Sequence, residues 1–553
     1  MATPKPEELQ KVDFSVPDKD WTETKPDFRK GTWCYSGKPS VVEYLGLPYA
    51  RKWSPADEDW DLPDGWKQTI LEGIRERLLK YRSFHVFMDI CVRCGACADK
   101  CHFYLGSGDP KNMPVLRAEL LRSIYRREFT TAGKIFKQMA GGRELTEEVI
   151  KEWFSYFYQC TECRRCSVFC PYGIDTAEIT MMGRELLHLI GVNTNWILEP
   201  VSNCYRIGNH LGIQPHAFKD SVVGLVEDIQ METGIDVTPS FNRKGAEILF
   251  ITPSADAFAM PAIFTMMGYM MLFHYLDLDV TFSTYASEGG NFGLFTSHEM
   301  QKRLNYKMYA EAKRLGVKWI LGGECGHMWR VIHQYMGTHW GGCDELEVPV
   351  SPATGTRFDH AKFTKMIHIT EFTADLIKND KLKLKPERND GYNITYHDSC
   401  NPARGMGLLE EPRYIIEKTA NNFYEMPENT IREQTFCCGS GTGLNTDEFM
   451  EMRMRGGFPR ASALKHVAKK HDVNLMATIC AIDKATLDAL VQYWIPEVEI
   501  GGVHELVGNA LVMEGENERE TNLRGEPIPM PPSESPPEAV GGEAGEGEGE
   551  ANV

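Results

Sequence analysis

Beyond Glu247 the chain alternates two hydrophobic rhythms. Short continuous apolar runs, EILFITPS from Glu247 and DVTFSTY from Asp279, read as strands buried on both faces. Between and after them, apolar residues recur three or four positions apart, which is the spacing of a helix with one buried face. The helix SHEMQKRLNYKMYAEAKRLG is bounded by Ser297 as a cap and closed by Gly316. A further strand, VKWILGGECG, ends at Cys325. The order then repeats: the strand YNITYHDSC, a helix around PRYIIEKTA, the loop FCCGSGTGL, helices through SALKHVAKKH and the strand VNLMATICAID. Strands alternating with helices in both halves predict parallel sheets with helices on both faces.

The N-terminal part has a different rhythm. VLRAELLRSIYRREF and TEEVIKEWFSYFYQ read as helices, and they lie between two dense cysteine runs, CVRCGACADKC from Cys91 and CTECRRCSVFCP from Cys160. Each run has the order C-x2-C-x2-C-x3-C, which holds [4Fe–4S] cubanes in bacterial ferredoxins. Zinc sites usually pair two short knuckles across a long gap, so iron–sulfur is the reading taken. In two-cluster ferredoxins the fourth cysteine of one run ligates the other cluster. Cluster one would then use Cys91, Cys94, Cys97 and Cys170, and cluster two Cys160, Cys163, Cys166 and Cys101. The helical connection predicts a helical ferredoxin domain. One irregularity is His102 after Cys101, where Cys170 is followed by Pro171.

Composition narrows the function further. The 553 residues carry a net charge of −18, which argues against a nucleic-acid surface and against direct binding to anionic lipid. No apolar core for a secretory signal follows Met1, and 16 cysteines fit a reducing compartment, so a cytoplasmic location is expected. The uncharged stretch Ala257 to Leu276 approaches a membrane span in length, but Pro261, Gly268 and His274 interrupt it, and a buried helix is expected instead.

The expected fold class is α + α/β, with a helical two-cluster ferredoxin-type domain followed by a duplicated α/β domain. The division is an N-terminal extension (1–80), the ferredoxin domain (81–200), a connector (201–245), a first α/β half (246–345), a linker (346–390), a second half (391–512) and a disordered acidic tail (513–553). Laying one half on the other puts Cys400 opposite Ser254, Cys437-Cys438-Gly439 opposite Glu288-Gly289-Gly290, and Cys480 opposite Cys325. One further cluster site is therefore expected, with Cys400, Cys437, Cys438 and Cys480 as ligands. Gly439 would supply the backbone freedom that adjacent ligands need, and the following GSGTG could offer N–H groups to sulfide. That loop lacks the register of a dinucleotide fingerprint, so nicotinamide binding is not expected. Cys34, Cys343, Cys204, His210 and His216 lack ligand spacing and are assigned to packing.

Cys400, the Cys437-Cys438-Gly439 triplet and Cys480 resemble the CCG domain of heterodisulfide reductases. With the two ferredoxin runs upstream, the chain is similar to the D-type component of those enzymes. Over residues 80 to 510 it looks most like the K subunit of the DsrMKJOP membrane complexes of sulfur-metabolising microbes. The family commonly reads HDPC-x-x-x-R and ends in C-x-x-C. Here the first motif is His397-Asp398-Ser399-Cys400 with Arg404, and the second ends at Asp483. Asp483 would either ligate iron or leave one iron open, Arg404 would steer an anionic sulfur substrate or form an ordinary ion pair, and Cys325 is a candidate remote ligand.

The resemblance implies two cubanes, an unusual catalytic iron–sulfur cluster at Cys437 and Cys438, and an oxidoreductase acting on sulfur groups in dissimilatory sulfur metabolism. It also implies electrons from menaquinol through a heme-containing membrane subunit, attachment to the inner face of the cytoplasmic membrane through partners, and a small DsrC-like sulfur-carrier protein as substrate. The alternative is an electron-transfer-only component of the glycolate or glycerol-3-phosphate dehydrogenase type. Those relatives tend to keep both CCG halves, whereas this chain has lost the thiolates of the first.

Overall fold

A computed structural model describes residues 62–529, apart from 194, 289, 341–343 and 446–449. Most of the N-terminal extension, with Cys34, lies outside the described residues, as do Cys343 and the tail beyond 529. The first described part is helical, with Trp66–Lys80, Arg82–Asp89, Pro114–Phe129, Glu147–Phe157 and Thr176–Leu189 packed around one core. Ile74, Leu121, Ile124, Trp153, Phe157 and Leu186 are fully enclosed there, each helix turning its apolar stripe inward. Trp153 satisfies its indole N–H on the carbonyl of Leu120 at 3.1 Å, which fixes two of these helices against each other. This helical frame carries the two cysteine runs on loops.

The rest is α/β. β1 (Ile248–Ile251), β2 (Val280–Phe282), β3 (Trp319–Gly322) and β4 (Met366–His368) form a parallel sheet in the order β2-β1-β3-β4. β5 (Ile394–His397), β6 (Leu475–Thr478) and β7 (Glu499–Gly502) form a second parallel sheet in the order β5-β6-β7. In the first sheet Ile248 stands between Val280 and Trp319, and in the second Met476 stands between Thr395 and Ile500. The two sheets match strand for strand, except that the counterpart of β2 is reduced to one parallel bridge between Ile394 and Phe423. The strand residues are buried, Glu499 excepted, because helices cover both faces.

The Met-rich segment forms the helix Ala262–Tyr275 and is buried, with Met266, Met267, Met270 and Met271 all enclosed. Gly268 lets it lie directly on the helix Val503–Ala510: a Cβ there would come within 1.9 Å of the His504 carbonyl oxygen. No described helix is long and apolar enough to cross a membrane.

Two boundaries need correction. Residues 346–390 are not a linker, since β4 completes the first sheet and the helix Ile369–Lys378 packs beside it. Three-residue strands such as Met366–His368 are too short for periodicity to reveal. The acidic tail does not begin at 513 either. Leu523 is buried, and Arg524 pairs with Glu505 and Glu499, so residues 513–529 pack on the second half. Polar composition hid these anchors.

The halves are joined by a fully buried charged network. Lys484 Nζ lies 2.9 Å from Glu324 Oε2 and 3.1 Å from Asp256 Oδ1, and Glu324 Oε1 lies 2.7 Å from His504 Nδ1. Such a set fixes orientation more than it adds stability, because desolvation offsets most of the attraction. Its consequence is positional: Lys484 immediately follows Asp483, so the network anchors the loop that carries Cys480.

Candidate iron–sulfur site

Cys91, Cys94, Cys97 and Cys170 line one cavity together with Val92, Val115 and Tyr172. Arg93 and Gly95 take left-handed conformations, which bend the loop so that successive cysteines face the same hollow. Burial pushes the Cys97 thiol up to about 11, and the nearby Cys170 and Cys91 add to this. Cys94 is exposed, so the cavity reaches the surface.

A second thiol group lies deeper. The buried Arg117 guanidinium stands 3.9 Å from Cys101 Sγ, and its charge acts on Cys160 and Cys166 as well. The N–H of Glu162 donates to Cys160 Sγ at 3.3 Å. Cys163, from the same run, turns the other way. It lies in one buried cluster with Cys400, Cys437 and Cys438. Hydrogen bonding with those neighbouring thiols holds Cys437 well below the ordinary thiol value despite burial. The same contact with Cys437, followed by burial, pushes Cys163, Cys400 and Cys438 up.

The backbone explains how adjacent cysteines share the site. Gly439 has φ 92°, and its N–H donates to Cys437 Sγ at 3.4 Å. A Cβ at Gly439 would lie 2.7 Å from the Arg453 carbonyl oxygen, so the turn is pressed onto the helix Met450–His471. Further along the loop, Thr442 Oγ1 donates to the Cys160 carbonyl at 3.0 Å. The GSGTG segment therefore touches the ferredoxin part as well as the thiols.

Cys480, at the end of β6, accepts the N–H of Gly326 at 3.2 Å, and burial pushes its thiol well up. Cys325 is close enough for its charge to act on Cys480, so the strand ends of the two halves meet here. Asp483 lies between Cys480 and Cys438. Its Oδ2 accepts Ser399 Oγ at 2.6 Å and Thr478 Oγ1 at 3.3 Å, with His397 Nε2 at 3.5 Å. Burial would raise the Asp483 carboxyl, but His397 and the hydrogen bonds, one of them from Cys438, hold it below its ordinary value. The two departures from the common motif, Ser399 and Asp483, are thus hydrogen-bonded to each other.

Arginines lock the site. Arg413 grips Asp398 through two bonds of 2.7 and 2.8 Å, which fixes the loop before Cys400. Among the described residues Arg404 pairs with no carboxylate. It donates instead to the carbonyls of Cys163, Glu433 and Thr435, because the backbone turns around it leave those oxygens in need of a donor. Arg165 bonds the carbonyls of Gln434 and Lys100 and lies over Phe436 at 3.9 Å. His102 explains its own irregularity: Nδ1 meets the Gly456 carbonyl at 2.7 Å and Nε2 meets Thr161 Oγ1 at 2.9 Å, contacts a proline could not make.

One polar site has no signature in the cysteine spacing. Cys204 and His210, assigned to packing, converge on Glu288 in the first half. Glu288 Oε2 accepts Cys204 Sγ at 3.2 Å and the His210 N–H at 2.7 Å, while Oε1 meets His210 Nδ1 at 2.6 Å and accepts Ser254 Oγ at 2.7 Å. Burial would raise the Glu288 carboxyl, yet His210 and Ser254 hold it at about 2. The alignment of halves held the signal, since it put Ser254 and Glu288 opposite Cys400 and Cys437.

Comparison with known proteins agrees with this geometry. Residues 87–174 match the 4Fe-4S dicluster domain family. The chain is 48% identical to the Hdr-like menaquinol oxidoreductase iron–sulfur subunit of Archaeoglobus profundus, over 95% of this chain and 99% of that one. It is 49% identical to the second iron–sulfur subunit of the same enzyme type in Archaeoglobus fulgidus, over 91% of this chain and 94% of the other. It is also 24% identical to the D component of the dihydromethanophenazine:CoB–CoM heterodisulfide reductase of Methanosarcina mazei, over 77% of this chain and 95% of the relative. With identity sustained along nearly its whole length and a 4Fe-4S dicluster domain in its first part, the chain belongs to the family of Hdr-like menaquinol oxidoreductase iron–sulfur subunits, related to the D component of heterodisulfide reductase.

Proposed function

We propose that this chain takes electrons, one at a time, from a quinol-oxidising, heme-containing membrane partner and reduces the disulfide or trisulfide of a small DsrC-like sulfur-carrier protein at Cys437 and Cys438. The observation that carries the reading is the packing of Cys163, from the second ferredoxin run, in one buried cluster with Cys400, Cys437 and Cys438. A ferredoxin-type loop pressed against a buried thiol set gives electrons a short protein path to one place. The names of the relatives, menaquinol oxidoreductase and heterodisulfide reductase, support a quinol at one end and a sulfur bond at the other.

The donor chemistry, thiols alone, is that of iron–sulfur clusters. Each set consists of thiols, with backbone N–H groups aimed at sulfur at Cys160, Cys437 and Cys480. Cys91, Cys94, Cys97 and Cys170 would hold one [4Fe–4S] cluster, and Cys101, Cys160 and Cys166 the second, whose expected fourth ligand, Cys163, is near Cys166 but packs in the Cys437 group. Cys400, Cys437, Cys438 and Cys480 would hold the third, with Asp483 beside it. Bound clusters supply one-electron transfer at potentials set by these N–H···S bonds and by burial. A disulfide takes two electrons and two protons to give two thiols, which one quinol releases; a trisulfide takes four of each, from two quinols, and also yields hydrogen sulfide. The chain's own part is to keep the reacting sulfur away from water, with Cys437 fully buried, and to hold the loops rigid through Arg404, Arg165 and Arg413.

EPR of the oxidised, anaerobically purified chain, with and without dithiothreitol, tests this. A paramagnetic signal that appears only with the dithiol is expected. A signal indifferent to thiol would point to electron transfer alone, and iron analysis giving only the roughly eight atoms of two cubanes would remove the third cluster.

A further inference from the structure

Resting on the reading that a partner supplies the electrons, we infer that the partner docks on one face of the helical part, formed by the rim of the Cys94 cavity and the segment Lys134–Gly141. One end of the thiol path is closed, since Cys163 and the group around Cys437 are buried. The other end opens at Cys94, which is exposed in a cavity shared with Val92 and Tyr172. Electrons from another protein therefore have their shortest approach here.

The surface around that opening is unusually apolar for a charged protein. Val92 is 59% exposed and Tyr172 45%, while Ile135, Phe136 and Met139 stand at 66%, 56% and 90%. These are parts of one face. Arg93 bonds Glu119 at 3.0 Å, Arg126 bonds the same carboxylate and the Gly141 carbonyl, and a Cβ on Gly141 would lie 3.6 Å from Arg93 Nη2. Apolar groups this exposed and this close mark a contact surface.

Charge says what kind of partner fits. From Lys80 to Arg143, leaving out the buried Lys100, Asp109, Arg117 and Arg122, the chain has nine Lys and Arg against four Asp and Glu, a surplus of five positive charges in a protein whose total is −18. Lys134 and Lys137 flank the apolar tip and are exposed. The fitting occupant is a protein with a one-electron redox centre near its surface and an acidic rim around an apolar patch. Complementary charge of this kind orients encounter more than it adds affinity.

The test compares hydrogen exchange in the isolated chain with exchange in the complex that purifies with it from native membranes, once the cubane EPR signals are present in both. Amides in residues 90–95 and 134–141 are expected to slow by about tenfold or more on assembly. A Phe136→Glu, Met139→Glu chain is expected to wash off those membranes at moderate salt, with its iron content, EPR and reduction by dithionite unchanged. Unchanged exchange over both segments, or a double variant that stays bound, would overturn the inference. Equal binding of the wild-type chain to protein-free phosphatidylglycerol vesicles through this face would also overturn it, in favour of a lipid contact. Missing cubane signals would instead count against the proposed function itself.

Discussion

The two α/β halves share a strand order but end their strands in opposite chemistry. In the second half the loop after β5 brings Cys400 to Cys437 and Cys438, Cys163 joins them from the ferredoxin part, and Cys480, after β6, lies beside Asp483 and Cys325. In the first half, Ser254 and Glu288 occupy the matching places, and Cys204 joins from the connector. One half gathers buried thiols at its strand ends. The other gathers a carboxylate with its own donors. The same backbone thus carries a set of buried thiols or a closed polar lock, depending on which residues stand at the ends of its strands.

The sharpest way to break this contrast is Cys437→Ser. Cys437 receives three thiol contacts, so its loss removes the centre of the set. Thiol-dependent EPR and sulfur reduction are expected to vanish, while the cubanes keep about eight irons per chain. If the cubane signals vanish as well, the three donor sets are not separable and the contrast between halves is lost.

Glu288→Ala asks the converse question of the first half. It strands His210, Ser254 and Cys204 in a buried site, and removing one partner from such a set costs about 3–5 kcal/mol. Melting temperature should fall with the iron content of the folded protein unchanged, since no cluster ligand is touched. The acid response gives the sign. The folded carboxyl sits at about 2, below its ordinary 4.5, so its contribution is full above 4.5 and is lost as pH falls toward 2. The melting gap between wild type and Glu288→Gln is therefore expected to narrow as pH drops below 4.5, and a gap that widens there would refute the assignment.

Gly439→Ala tests whether the second half depends on backbone as well as sulfur. With φ at 92° and the Arg453 carbonyl 2.7 Å from any Cβ, the turn must shift. Strain of this sort costs about 1–3 kcal/mol, and the thiol-dependent signal should move in g-value rather than disappear. An unmoved signal would mean the adjacent cysteines do not set the cluster's geometry.

Much of this architecture was legible because the chemistry is local. The C-x2-C-x2-C-x3-C runs, the triplet at Cys437 and the cap at Ser297, whose Oγ accepts the Met300 N–H at 3.1 Å, are written within a few residues. What stayed concealed depends on distant pairs. Cys163 looks like any ferredoxin cysteine until the fold sets it against Cys437, 274 positions further along the chain. Cys204 and His210 gain meaning only beside Glu288. β4 and β7 are three or four residues long and show no period, and the carbonyl partners of Arg404 leave no mark in a sequence.

The smallest expected effect comes from Ser399→Ala, and it is the finest probe of the comparison. Ser399 is where the chain departs from the family's proline, and its hydroxyl holds Asp483, where the chain departs from a cysteine. A hydrogen bond to a charged group contributes about 1.5–3 kcal/mol when both partners stay buried, but Thr478 remains on the same oxygen and His397 stays nearby, so a loss near the lower bound is expected. The informative readout is spectroscopic. If Asp483 is held away from iron by Ser399, releasing it should change the thiol-dependent EPR signal in Ser399→Ala and not in Ser399→Thr, which keeps the hydroxyl. If neither substitution alters the signal, the carboxylate is a neighbour of the cluster without influence on it, and the two departures are a packing pair alone.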